Sequence, residues 1–125
     1  MTFNQAAKPF INDKLEKASD ALTQKRRQLS FQLLEDAHVI GQQSTYCHCL
    51  VHLKMLQFGL KTRNTKEVIG QCFRLVGAAT KTIFGGVPKG NTGGVNVSPF
   101  TPMSISVGNQ AIIDEIKVKM KHAQS

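Results

Sequence analysis

The sequence predicts an all-α fold, a compact helical bundle of three main helices plus a short C-terminal helix, with a Gly/Pro-rich ordered loop packed across it. Three observations carry that reading. Apolar residues recur at helical spacing, as in Leu15, Leu22, Leu29 and Leu33. Capping and turn residues interrupt those stripes at Gly41 to Thr45 and again at Thr62 to Thr65. Glycine and proline gather between Gly85 and Pro102, where a regular helix cannot run.

The first helix is expected from Asn12 or Asp13 to about Gln43, with residues 1–11 loosely ordered. Up to Arg27 it is conventionally amphipathic. From Leu29 onward it is apolar on most sides, so this half lies deeper and frames Glu35 and His38. Gly41 breaks it, and Ser44 or Thr45 caps a second, antiparallel helix that continues to about Lys61. Asn64 is the expected N-cap of the third helix, with Glu67 as its capping-box partner. That helix is expected over Thr65 to Phe84. Val68, Ile69, Cys72, Leu75, Val76 and Ala79 form its broad apolar face, with Glu67, Gln71, Arg74 and Ala78 opposite, as on an ordinary surface helix. Residues 85–108 form the loop. A last helix, Asn109 to Lys121, docks Ile112, Ile113 and Ile116 and ends among lysines that suit a helix C-terminus.

A chain of 125 residues is expected to make one domain, 1–125, that folds without disulfides or a structural metal. Its first residues lack a charged segment followed by an apolar run, and no stretch reaches the roughly 18 apolar residues of a membrane span, so we expect a soluble, cytoplasmic protein with no membrane partner. Cys47, Cys49 and Cys72 are then reduced thiols, and the spacing of the first two is not that of a zinc knuckle. The net charge of +8 invites a nucleic-acid reading. The distribution weakens it: Lys25, Arg26 and Arg27 are one short cluster and Lys117, Lys119 and Lys121 a basic tail, aromatic residues for stacking are scarce, and no recognition motif is present. Weak, sequence-blind binding is all we expect. Between Asp36 and Asp114 the only carboxylate is Glu67.

The most informative stretch is Tyr46 to Gln57. At about 100° per residue, His48, His52 and Met55 point one way while Lys54, Gln57 and Lys61 point the other, so the histidines face inward. Imidazoles at i and i+4 can reach one ion over a single turn. The same spacing also suits two core histidines satisfied by carbonyls. Each of three successive helices presents a polar triplet: Glu35, His38 and Gln42; His48, His52 and Met55; Glu67, Gln71 and Arg74. Glu35 and His38 match the Glu-x-x-His pair of carboxylate-bridged metal sites, although Glu35 lies opposite the leucine stripe and faces solvent on the simplest geometry. Three imidazoles with one or two carboxylates suit zinc, ferrous iron, manganese or nickel, and lack the oxygen-rich shell of calcium. One Glu-x-x-His pair instead of two favours a mononuclear site. The loop has no Gly-Lys-Ser/Thr ending and follows no strand, which argues against a Walker site. There is no Ser-His-Asp set, nucleophile elbow or dinucleotide fingerprint either.

Four segments in order, Glu35 to Gln42, His48 to Leu56, Glu67 to Arg74 and Pro88 to Val97, resemble a small bacterial family catalogued as domain of unknown function 3703. The resemblance spans roughly Phe31 to Ile105 and brings no established activity. It implies that His38, Gln42, His48, His52, Glu67, Gln71, Arg74 and the loop Gly90 to Gly94 occupy the family's motif positions, while Asp36 departs from the arginine common there. The expected site therefore holds a divalent transition metal through His38, His48, His52 and a carboxylate from Glu35 or Glu67. Gln42, Gln71, Arg74, Asn91 and Thr92 support it or contact a ligand. If it performs chemistry, Glu67 is the candidate acid or base, and Arg74 the residue that would hold a small anionic ligand. The alternative is a nonenzymatic basic module that binds an acidic protein partner or nucleic acid, with structural histidines.

Overall fold

The computed structural model describes residues 1–80, 91–98 and 101–124. Among them the chain forms five helices and no strand: α1 (Phe3–Thr23), α2 (Arg27–Gly41), α3 (Thr45–Lys61), α4 (Thr65–Ala79) and α5 (Val107–Gln124). None is long and apolar enough to cross a membrane.

The expected single first helix is two. α1 is capped at Gln24, and Lys25 turns into the left-handed region at φ 63°. There its N–H donates to Leu22 O and that of Arg26 to Ala21 O, the paired bonds of a Schellman stop. The chain then reverses into α2. The same device ends α3, where Arg63 has φ 56° and Asn64 N–H donates to Gly59 O. Residues 1–11, expected to be loose, are helical almost throughout. Thr2 and Gln5 form a reciprocal capping box, and Ala6, Ala7 and Ile11 enter the core, which holds the first turns despite Pro9. The C-terminal helix is also longer than expected, 18 residues from Val107. The expected extension of α4 to Phe84, and Gly85 to Gly90 of the loop, lie outside the described residues.

Small residues decide how α1 meets α2. Ala7, Ala18 and Ala37 are buried at the contact, Ser30 Oγ donates to Ala18 O at 2.7 Å, and the leucine stripe Leu15, Leu22 and Leu33 packs only partly buried around them. Gly41 lets α3 approach closely, since a Cβ there would lie 2.9 Å from Cys47 Cβ. Ile11, Ile40, Val51, Met55 and Ile116 complete the core, each at most 1% exposed. Burying one such side chain stabilises the fold by about 1.5–3 kcal/mol. α5 returns against α1 and α2, where Asp36 accepts from Asn109 Nδ2 at 2.9 Å and pairs with Lys14 at 3.9 Å. That gives Asp36 a structural role joining three helices.

α4 packs on α3 and contributes nothing to that core cluster. Its orientation reverses the expected one. Glu67, Gln71 and Ala78 are buried, whereas Ile69, Phe73 and Val76 are 55%, 77% and 65% exposed. A helix turns its polar stripe inward only where that stripe finds partners.

Candidate metal centre

One of those partners is a histidine, His52, which meets Gln71. His38 near the end of α2 and His48 and His52 one turn apart on α3 are 3%, 5% and 2% exposed. The short connection Gln42 to Ser44, with Ser44 capping α3 by accepting from Cys47 N–H, folds α3 back so that all three rings converge. Their Nε2 atoms form a nearly equilateral triangle: 3.0 Å from His38 to His52, 3.0 Å from His38 to His48 and 3.1 Å from His48 to His52. Met55, expected on the same inward face, is fully buried in the hydrophobic core.

The outer nitrogens fix two of the tautomers. His38 Nδ1 is 2.7 Å from Asn91 O, a carbonyl that can only accept, so Nδ1 carries the proton and donates it. His52 Nδ1 lies 2.6 Å from Gln71 Oε1. The Gln71 amide cannot be flipped, because its Nε2 donates to Glu67 Oε1 at 2.7 Å and to Gly93 O at 2.9 Å, both acceptors. His52 therefore also keeps its proton on Nδ1. Burial holds His38 well below the usual histidine range, reinforced by the neighbouring His52 and His48. It lowers His52 to about 4, against the opposing effect of the Gln71 hydrogen bond. Both rings are neutral near pH 7, and both aim a bare Nε2 lone pair at the other.

The remaining expected residues are arranged around this triangle. Glu67, buried at 5% exposure, binds Gln71 and stands outside the cluster of potential ligands, as does Glu35. Glu35 is half-buried, not solvated; desolvation raises its pKa, the Thr92 hydroxyl beside it lowers it, and Asp36 and Glu67 raise it further. Gln42 is buried at the end of α2. Arg74 donates from Nη2 to Val97 O at 2.7 Å, while its Nε and Nη1 are buried with no hydrogen-bond partner among the described residues. Burial lowers the Arg74 pKa and the Glu67 charge opposes that. Asn91 knits the loop: its Nδ2 donates to Ser98 O and Thr101 O, both at 2.7 Å, and its Oδ1 accepts from Gly93 N–H at 2.9 Å. Gly93, at φ 85°, lies against the His38 ring, where a Cβ would come within 2.6 Å of Cδ2. Nothing in the residue types marks the carbonyls of Asn91 and Gly93 as partners, because backbone acceptors leave no signal beyond a turn glycine.

The donor set fits a transition ion. Three nitrogens bound at about 2.0–2.1 Å lie about 2.9 Å apart at right angles and about 3.3 Å apart at tetrahedral angles. The observed edges of 3.0–3.1 Å fall between these values. Three buried histidines at this separation could hold a metal ion. No curated protein and no solved structure matches the chain. The profile of the family described as protein of unknown function (DUF3703) matches residues 5–113, and with a match of that extent the chain belongs to this family.

Proposed function

We propose that this protein binds one divalent transition metal, zinc, ferrous iron, manganese or nickel, through Nε2 of His38, His48 and His52. The observation that carries the reading is the His38–His52 contact. Both Nδ1 atoms are committed as donors, so the two Nε2 atoms meet at 3.0 Å with no proton between them. His48 could supply one proton at most to a triangle with three contacts. A cation placed over the triangle turns facing lone pairs into ligands, and the carbonyl and amide acceptors behind them are the outer partners that metal-bound imidazoles require.

Three protein ligands leave a coordination position open, and a metal held this way supplies Lewis acidity to a bound water or anion. Around it, Arg74 is the residue that would hold an anionic group, through the Nε and Nη1 hydrogens that have no partner among the described residues. Glu67 supports the site through Gln71, and half-buried Glu35, with its raised pKa, is the better placed of the two to exchange a proton.

Elemental analysis of protein purified without an affinity tag tests the proposal. We expect near-stoichiometric metal, abolished in His48→Ala and His52→Ala with helical content largely kept. Full metal retention in the double variant, or a metal-free wild type that takes up none on titration, would remove it.

A further inference from the structure

α3 and α4 form an antiparallel hairpin whose inner side carries His48, His52, Glu67 and Gln71. Its outer side is apolar. On α3, Tyr46, Leu53 and Leu60 recur every seventh residue and are 60%, 39% and 61% exposed. On α4, Ile69, Phe73 and Val76 share a stripe and are exposed by more than half. Between the stripes Cys49 and Leu56 on α3 and Cys72 on α4 continue the same surface, and Val68 packs against Gly59, holding the two helices in close contact. The charges of the hairpin lie at its edges: Lys54 and Lys61 are on the far flank of α3, Arg63 and Lys66 are at the turn end, and Arg74, bonded to Val97 O, is at the wall of a recess beside Phe73 that Lys66 also lines.

We infer that this face is the interface of a two-fold homodimer, in which the hairpins of two copies pack face to face as a four-helix layer. Size allows it. Helices of 17 and 15 residues are about 25 and 22 Å long and pack about 10 Å apart, a flat footprint of about 500 Å² per copy. Two such faces bury about 1,000 Å² in total, the size at which a specific interface begins and below the roughly 1,600 Å² of a standard one. Charge selects the occupant. In a protein of net charge +8, a surface built for an acidic partner would present its cations to that partner, and this face presents none at its centre. An uncharged apolar face is complementary to itself, which is the requirement of an isologous contact, and burying it keeps the cations of two copies at the rim. The recess of about 370 Å³ beside Phe73, lined by Lys66, Ile69, Gly70, Arg74 and Val95, gives the opposing copy a pocket to fill. None of this depends on a metal being bound.

Sedimentation velocity on the intact chain, from micromolar to sub-millimolar concentration, reads the result against the 13.7 kDa of one copy. We expect twice that mass for the wild type, at least tenfold weaker association for Phe73→Glu and Ile69→Glu, and no change for Val118→Glu, which alters a position on α5 about as exposed as Ile69. If the charged variants misfold, amide shifts of the wild type on dilution answer the same question, and should be confined to the outer residues of α3 and α4. A wild type that stays monomeric throughout overturns the inference, as does a dimer whose dilution shifts map to another surface. Co-sedimentation of a monomeric wild type with phosphatidylglycerol vesicles would also overturn it, by assigning the face to lipid.

Discussion

At the scale of single residues, the buried imidazoles set a pH dependence of known sign. In the metal-free protein His52 titrates at about 4 and His38 well below 6.5, whereas both return to about 6.5 on unfolding. Below pH 6.5 the unfolded chain therefore binds protons that the native chain refuses. Stability is full above that pH and declines as the pH falls toward 4, with His52 alone contributing on the order of 3 kcal/mol. Urea midpoints of the metal-free protein between pH 7.5 and 4.5 should fall accordingly; a flat profile would contradict the burial argument. Gly93 gives a second test. An added methyl would have to adopt φ 85° and would press on Cδ2, Cγ and Nε2 of His38 at 2.6–2.8 Å. Gly93→Ala should cost about 1–3 kcal/mol in thermal or urea unfolding and weaken metal uptake at least tenfold. Gly77→Ala, where nothing lies within 4 Å, should instead stabilise α4 by about 0.5–1 kcal/mol.

At the scale of elements, the two Schellman stops make the next prediction. Lys25 and Arg63 occupy left-handed positions that glycine fills without a Cβ penalty. Lys25→Gly should therefore raise the unfolding free energy by about 0.5–1 kcal/mol, whereas Lys25→Val should lower it. These stops also explain what the sequence concealed. A helix end marked by Asn64 and Glu67 is visible in residue types, and so is the break at Gly41. One marked by a lysine is not, so the periodicity of Leu15 to Leu33 reads straight through the turn between α1 and α2. α4 misleads for a different reason. Amphipathic reasoning assumes that the apolar face seeks the core, yet Gln71 is held inside by His52 and Gly93 and in turn binds Glu67, and the apolar face is left outward. The capping-box pattern of Thr2 and Gln5 is present in the residue types and starts α1 at Phe3, ahead of the expected Asn12 or Asp13. The inward aim of His48 and His52, by contrast, follows from their i, i+4 spacing together with Lys54, Gln57 and Lys61 on the opposite face, and the structure brings His38 to them.

At the scale of the whole molecule, the charge distribution and the buried site make separable predictions. A chain of net charge +8 will bind polyanions to some degree, by releasing their counterions. Binding to duplex DNA should be weak, indifferent to sequence and steeply reduced between 50 and 200 mM salt, as a fluorescence-anisotropy titration would read. Neutralising Lys25, Arg26 and Arg27 should diminish it and His48→Ala should not. Tight, sequence-selective binding at physiological salt would instead favour a basic interaction module.

The loop over the histidines has a kinetic consequence. All three rings are at most 5% exposed, and residues 91–98 are held down by Asn91, by Gln71 on Gly93 and by Arg74 on Val97. If an ion is seated beneath them, its exposure to a chelator would wait on those bonds opening. Its release would then proceed at the pace of that opening, independent of how much chelator waits outside. Retention would be set by the loop as well as by the strength of three nitrogen ligands, so two relatives with the same histidines and different loops would hold the same metal for very different times.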